Sequence, residues 1–148
     1  MSLVGRIEIY DLFMINWEER LATGSDTIDG QHKMLILHIN QLEGMLKNFK
    51  PDARHIEFAQ SLVAFLEQYA ATHFKYEEQC MECHLCPAHE QNREQHSQFI
   101  EFFGRFHAKY QVEGFSLESF QALHQMTSSW IVSHILRIDT QLKPYVKN

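Results

Sequence analysis

HFKYEEQCMECHLCPAHEQNREQH, residues 73–96, decides the fold. Its first part sets His73 and Glu77 four residues apart, and its last part sets Asn92 and His96 four apart. Side chains at that spacing share one face of an α-helix. Between them lie Cys80, Cys83 and Cys86 at three-residue intervals, with His84 and His89 interleaved. The spacing invites a metal reading, but a four-iron cluster needs four thiolates and the chain has three. A zinc site of three cysteines would need His84 or His89 as its fourth ligand and would have to close across a tight turn. The stretch is better taken as the turn between two helices. Its cysteines are then small, partly buried residues or, as an alternative, a thiol redox switch.

Outward from this turn the same periodicity recurs, in four segments punctuated by Pro51, Pro87 and Pro144. The first starts at Asp26 or Thr27, with Asp26 expected as its N-cap, and its inward stripe is Ile28, His32, Leu35, Ile39, Leu42, Leu46 and Phe49. The second follows Pro51, capped by Asp52, with Ile56, Ala59, Val63, Leu66, Ala70, His73, Glu77 and Met81 inward. The third is expected to start at Pro87, where a helix needs no N–H. It runs through His89, Asn92, His96, Phe99, Phe103, Phe106 and Tyr110 to a stop at Gly114. The fourth is capped by Ser116 and runs through Phe120, Leu123, Thr127, Trp130, His134 and Ile138. Alternating three- and four-residue steps are the seam of a helix packed in a bundle. The connections are short, so neighbours run antiparallel. The expected fold is all-α: a single-domain, up-down-up-down four-helix bundle over 25–143. An N-terminal arm over 1–24 is anchored by Trp17, and 144–148 form a tail or the start of a linker.

The composition bounds the function. A chain of 148 residues with 45% apolar and 22% charged content suits one globular domain. Its net charge of −6 argues against a nucleic-acid partner, which calls for a basic face. No run is apolar enough to span a membrane, and the first residues lack a signal-peptide pattern. Three crowded cysteines fit a reducing cytoplasm rather than a disulfide framework.

Against this background the stripes carry an anomaly. His32, His73, Glu77, Asn92, His96 and His134 occupy positions that should be buried and apolar. One such residue is ordinary core polarity; unpaired burial of this many is costly. In an antiparallel bundle the start of the first segment, the end of the second, the start of the third and the end of the fourth meet at one end, so the six converge. Asp139 follows His134 by five residues, about 140° round a helix, and joins only through a reaching side chain or a widened turn. Four imidazoles and two carboxylates suit a pair of iron ions. His38, His55, His107 and His124 lie off this site and are expected on the surface or helix flanks. Asp29 and Glu78 are expected to be supporting or solvated.

Four pieces in order, IDGQH (28–32), HFKYEE (73–78), EQHSQF (94–99) and HILRID (134–139), make the sequence resemble the bacterial hemerythrins. The similarity covers about residues 15–142. The resemblance implies two non-haem iron ions bridged by Glu77, Asp139 and an oxo or hydroxo oxygen. One iron would take His32 and His73. The other would take His96, His134 and a further histidine one turn earlier, where this chain has Asn92. The protein ligands then number six instead of seven, with Asn92 either a weak amide ligand or the mark of a position open to water or a small anion. His89 lies about 10 Å along the helix from His96 and reaches the iron only if the helix start deforms. The resemblance also implies a ligand pocket of Leu35, Phe74, Phe99, Trp130 and Ile135, with Gln95 as a polar member.

The expected function is oxygen binding and redox sensing, with dioxygen, nitric oxide or azide-like anions as ligands. The domain is not expected to be an enzyme itself. In this family such domains are often joined to signalling modules, and Pro144 and Lys147 would begin a linker to one. A stand-alone oxygen carrier and a diiron oxidase or peroxidase are the alternatives.

Overall fold

A computed structural model of the chain describes residues 14–146. Residues 1–13 of the expected arm and 147–148 of the expected tail, Lys147 included, lie outside the described residues. Four α-helices dominate: α1 (Asp26–Lys47), α2 (Ala53–Cys83), α3 (His89–Glu113) and α4 (Leu117–Arg137). Short 3-10 turns precede and follow them at Glu19–Leu21 and Asp139–Leu142. No strand occurs among the described residues. The architecture is the all-α four-helix bundle, with α1 packed between α2 and α4, and α3 against α2.

The boundaries follow local chemistry. Helix α1 begins one residue earlier than its acidic start implies: Ser25, not Asp26, is the cap, and its side chain accepts from the Ile28 N–H. Ser has the short hydroxyl for this role, while Asp26 and Asp29 in the first turn favour the positive helix end. Asp52 caps α2 and Ser116 caps α4, each accepting from an N–H three residues on. Helix α3 starts at His89, two residues after Pro87, which stays in the turn. Gly114 ends α3 at φ +81°, a left-handed conformation that glycine takes without steric cost.

The turn between α2 and α3 is a Schellman motif. The Cys86 N–H donates to the Met81 carbonyl at 2.9 Å and the Leu85 N–H to the Glu82 carbonyl at 3.1 Å. Leu85 takes the left-handed position at φ 55°. Cys86 and Met81 are both buried in one apolar cluster, the hydrophobic contact that accompanies this motif. Cys86 is thus a capping hydrophobe, Cys80 is half-buried against the same cluster, and Cys83 is exposed.

Two apolar layers result. The main core fills the bundle from Leu21 and Leu35 to Phe103 and Phe120, and Trp17 packs against it from the chain before α1. A smaller cluster of Ile28, Met81, Cys86, Ala88, Ile138 and Leu142 closes one end. Ile28, Met81, Ala88 and Ile138 each lie one turn outward from His32, Glu77, Asn92 and His134 respectively. The polar residues are therefore a layer between two apolar ones, shut off from the bundle end.

Candidate metal centre

His32, His73, Glu77, Asn92, His96, His134 and Asp139 are all buried, none more than 3% exposed. His32 comes from α1, His73 and Glu77 from α2, Asn92 and His96 from α3, and His134 from α4. Asp139 arrives by a break in the helix. Helix α4 ends at Arg137, Ile138 turns the chain at φ −110°, ψ −58°, and Asp139 opens the 3-10 turn. The tighter turn swings Asp139 inward across the angle that an unbroken helix would leave.

The donor atoms fall into two groups that share Glu77: His32, His73 and Glu77, and Glu77, His96, His134 and Asp139. Within each, the donor atoms lie within 4.8 Å of one another. Glu77 Oε2 sits 3.0 Å from His32 Nε2 and 3.2 Å from His73 Nε2, while its Oε1 faces His96 Nε2 at 3.2 Å. Asp139 repeats the pattern, with Oδ2 at 3.2 Å from His32 Nε2 and Oδ1 at 3.0 Å from His134 Nε2. Each carboxylate thus spreads its two oxygens over both groups. The cysteines form no comparable group among the described residues.

Residues 23–146 match the hemerythrin HHE cation-binding domain. The chain belongs to the hemerythrin family. It is similar to the bacteriohemerythrin of Pseudomonas aeruginosa (strain LESB58), 32% identical over 124 residues, covering 83% of this chain and 75% of that one. The bacteriohemerythrin of Stenotrophomonas maltophilia (strain R551-3) is 28% identical over 138 residues, 90% of this chain and 82% of the other.

The donor set of this hemerythrin domain fits a cation on physical grounds. Three imidazoles are anchored from outside. His73 Nδ1–H donates to Gln31 Oε1 at 2.6 Å, His96 Nδ1–H to Glu78 Oε2 at 3.1 Å, and His134 Nδ1–H to Gln95 Oε1 at 2.8 Å. Such contacts fix the tautomer of a metal-binding histidine and aim its Nε2 lone pair inward. His134 Nε2 then faces Asn92 Oδ1 at 2.8 Å, Asp139 Oδ1 at 3.0 Å and His96 Nε2 at 3.1 Å. With the Asn92 amide oxygen turned to the ring, these are four acceptors facing one another, a crowd that a shared cation satisfies. Among the described residues, the buried side-chain atoms left without a hydrogen bond are His32 Nδ1, Glu77 Oε1, Asn92 Nδ2, both Asp139 oxygens and Thr127 Oγ1. All but the last belong to this layer.

Electrostatics point the same way. Burial pushes the Glu77 carboxyl up, but the imidazoles of His32, His73 and His96 set against its oxygens outweigh it and hold it well below the usual carboxylate range. Burial pulls His32 down, yet the Asp139 and Glu77 carboxylates beside it prevail and raise it to about 10. Burial pulls His73 below its ordinary value against the influence of Glu77. In the metal-free hemerythrin domain a proton on His32 therefore holds the two carboxylates together, in the place a metal would take.

Several expected roles shift. Gln95 is not a free polar pocket member; it is engaged by the outer nitrogen of His134. Gln31, which the sequence stripes did not single out, does the same for His73, and its place one residue before His32 was the available signal. His89 stays at the start of α3, 3.5 Å from Glu90, and joins neither group. Leu35, Phe74, Phe99 and Ile135 are buried in the core beside the layer, with Trp130 packed against them. Phe74 stacks on His96 at 3.9 Å between centroids, and Trp130 stacks on His134 at 4.4 Å. His124, expected at the surface, is 2% exposed, with Nδ1 3.1 Å from Glu43 Oε2.

Proposed function

We propose that this chain is a non-haem diiron domain that binds dioxygen and senses redox state. The observation that carries the reading is the two-sided spread of Glu77 and Asp139 between two pairs of imidazoles. His32 and His73 would hold one iron and His96 and His134 the other, with Glu77 and Asp139 shared between them and an oxo or hydroxo oxygen completing the pair. When bound, an iron pair would supply two electrons to dioxygen, and would offer nitric oxide or an azide-like anion a coordination position without that transfer.

The protein's own part is confinement and support. Leu35, Phe74, Phe99, Trp130 and Ile135 supply an apolar wall that keeps water from the ligand. Gln31, Glu78 and Gln95 hold the imidazoles in register. Asn92 gives its side one strong donor fewer than three histidines would, leaving a weakly closed or open position. That deficit favours ready cycling between oxidation states over stable carriage, which suits a sensor. Asp139 and the chain beyond it would carry a change at the irons outward, toward a fused signalling module. Free thiols at Cys80, Cys83 and Cys86 suit a reducing compartment such as the cytoplasm. No helix among the described residues is long and apolar enough to cross a membrane.

The test is metal content with absorption spectra before and after reduction, on protein loaded with iron alone. About two irons per chain and an oxo-bridged diferric spectrum are expected. Asn92→His then slows reoxidation of the reduced protein under air. An unchanged rate would remove Asn92 from the account of reactivity.

A further inference from the structure

A second polar constellation lies where α1 meets α4, away from the metal layer. His124 precedes His134 by ten residues, about 15 Å along a helix. Its ring is buried, and both nitrogens have partners. Nδ1 lies 3.1 Å from Glu43 Oε2 on α1, and Nε2 lies 3.2 Å from Ser128 Oγ, one turn further along α4. The Glu43 carboxylate only accepts, so Nδ1 carries the ring proton and the Nε2 lone pair receives the Ser128 hydroxyl. Ser61, Thr72 and Thr140 bond the carbonyl four residues back, as helical hydroxyls commonly do. Ser128 is turned to the imidazole instead. It is half-buried and lines an open groove of about 820 Å³ between α4 and the chain before α1. Gln125, Ser129 and Ser133 form polar wall of that groove, and Ile15 and Val132 apolar wall.

We propose that Ser128, His124 and Glu43 are a nucleophile, its base and the carboxylate that orients the base, and that they hydrolyse a small carboxylic ester held in the groove. The arrangement is recognised by geometry and roles rather than by order in the chain. Burial keeps the His124 ring below its ordinary pKa, so it is neutral and free to take a proton. Ser128 Oγ bonds to the ester carbonyl carbon as its proton passes to His124 Nε2. The tetrahedral intermediate then expels the alcohol, which leaves with that proton. Water next attacks the acyl-serine, giving its proton to His124, and the acid departs as Ser128 Oγ takes the proton back. Ester and water are consumed, acid and alcohol released, and the protein is restored. The Ser128 amide lies inside α4, where N–H groups bond the carbonyl four residues back. The donors open to the oxyanion are therefore the Gln125 and Ser129 side chains of the same groove. Glu43 touches no substrate; it is a positioning residue that fixes the ring tautomer. This site owes nothing to the iron pair, so the two readings stand or fall separately.

The experiment uses the full iron-loaded chain with two probes: p-nitrophenyl acetate, followed by release of the phenolate, and a fluorophosphonate, followed by peptide mass spectrometry. Ser128 is expected to carry the phosphonyl label. Ser128→Ala removes the label and lowers ester turnover by about 100-fold. His124→Gln does the same, and Glu43→Gln lowers kcat with KM unchanged, a split that a merely structural carboxylate would not produce. Ser133→Ala, in the same groove but outside the relay, keeps full turnover. Helix content is checked for each variant, and Ser128→Ala decides the matter if His124→Gln folds poorly, since alanine suits a half-buried helical position. Turnover that is unchanged in Ser128→Ala overturns the proposal and marks reaction at another nucleophile, such as the exposed Cys83. A fluorophosphonate that leaves Ser128 unlabelled overturns it as well, and shows the Ser128–His124 contact to be structural only.

Discussion

The side-chain oxygen of Asn92 lies 2.8 Å from Nε2 of His134, and the opposite nitrogen of that ring is already committed to Gln95. One ring proton cannot serve both contacts. The metal-free domain must leave one unmade, protonate a buried imidazole, or turn over the Asn92 amide, whose Nδ2 has no partner in this arrangement, and the first two cost stability. A cation resolves the conflict without a proton.

Metal removal is therefore destabilising. At metal a hundredfold above its dissociation constant the linkage amounts to about 2.7 kcal/mol, or a Tm higher by roughly 5–10 °C for a chain of this size. Thermal melts of the loaded protein before and after treatment with a chelator measure it. Coincident melting curves would show that the four acceptors coexist without metal.

The outer contacts set affinity more than fold. Gln95→Leu frees the His134 ring while leaving a group of similar size at a half-buried position. Metal affinity is expected to fall by about 10–100-fold with little change in helix content. A metal titration followed by circular dichroism separates the two. An undiminished affinity would mean that stacking on Trp130 alone holds the ring.

Leu85 pays for the Schellman turn with a left-handed backbone and an 84% exposed side chain. Leu85→Gly relieves that strain at no loss of packing, and glycine is the usual residue there. The expected gain is about 1 kcal/mol, or about 2–4 °C in Tm. A variant that melts lower would indicate that the leucine side chain has a packing role in this turn.

His124 gives a pH dependence away from the metal. Burial holds its pKa below the ordinary 6.5. The unfolded chain therefore binds more protons than the folded one as pH drops below 6.5, and folding stability falls with it. Denaturant melts of the metal-free protein between about pH 7 and 5 should lose stability more steeply in the unaltered chain than in His124→Gln. Parallel curves would exclude a contribution from His124.

Much of this was legible in the sequence, because periodicity and topology depend on residue type alone. The i, i+4 pairs of His73 with Glu77 and Asn92 with His96 fixed which face of α2 and α3 turns inward, and antiparallel packing brought the polar residues to one level. What escaped depends on side-chain reach and local backbone. Ser25 and Asp26 are both capable caps, and only the backbone distinguishes them. Pro87 tolerates a helix start but does not require one. The five-residue gap to Asp139 left open how the chain turns, and the answer is the 3-10 turn after Arg137. Gln31 and Gln95 look like surface glutamines until the rings they hold are located. His124 lies one turn from both Phe120 and Thr127, on the edge of the apolar stripe, where pattern alone does not separate a buried ring from an exposed one.

Each helical hairpin owns one side of the centre and lends a carboxylate to the other. Glu77 on α2 reaches His96 on α3, and Asp139 beyond α4 reaches His32 on α1. Neither half of the chain contains a full set of ligands for either position. A cation that needs either full set would be captured only by a chain whose two hairpins have already met in register. A molecule that had acquired such a cation would, by that fact, have been proofread.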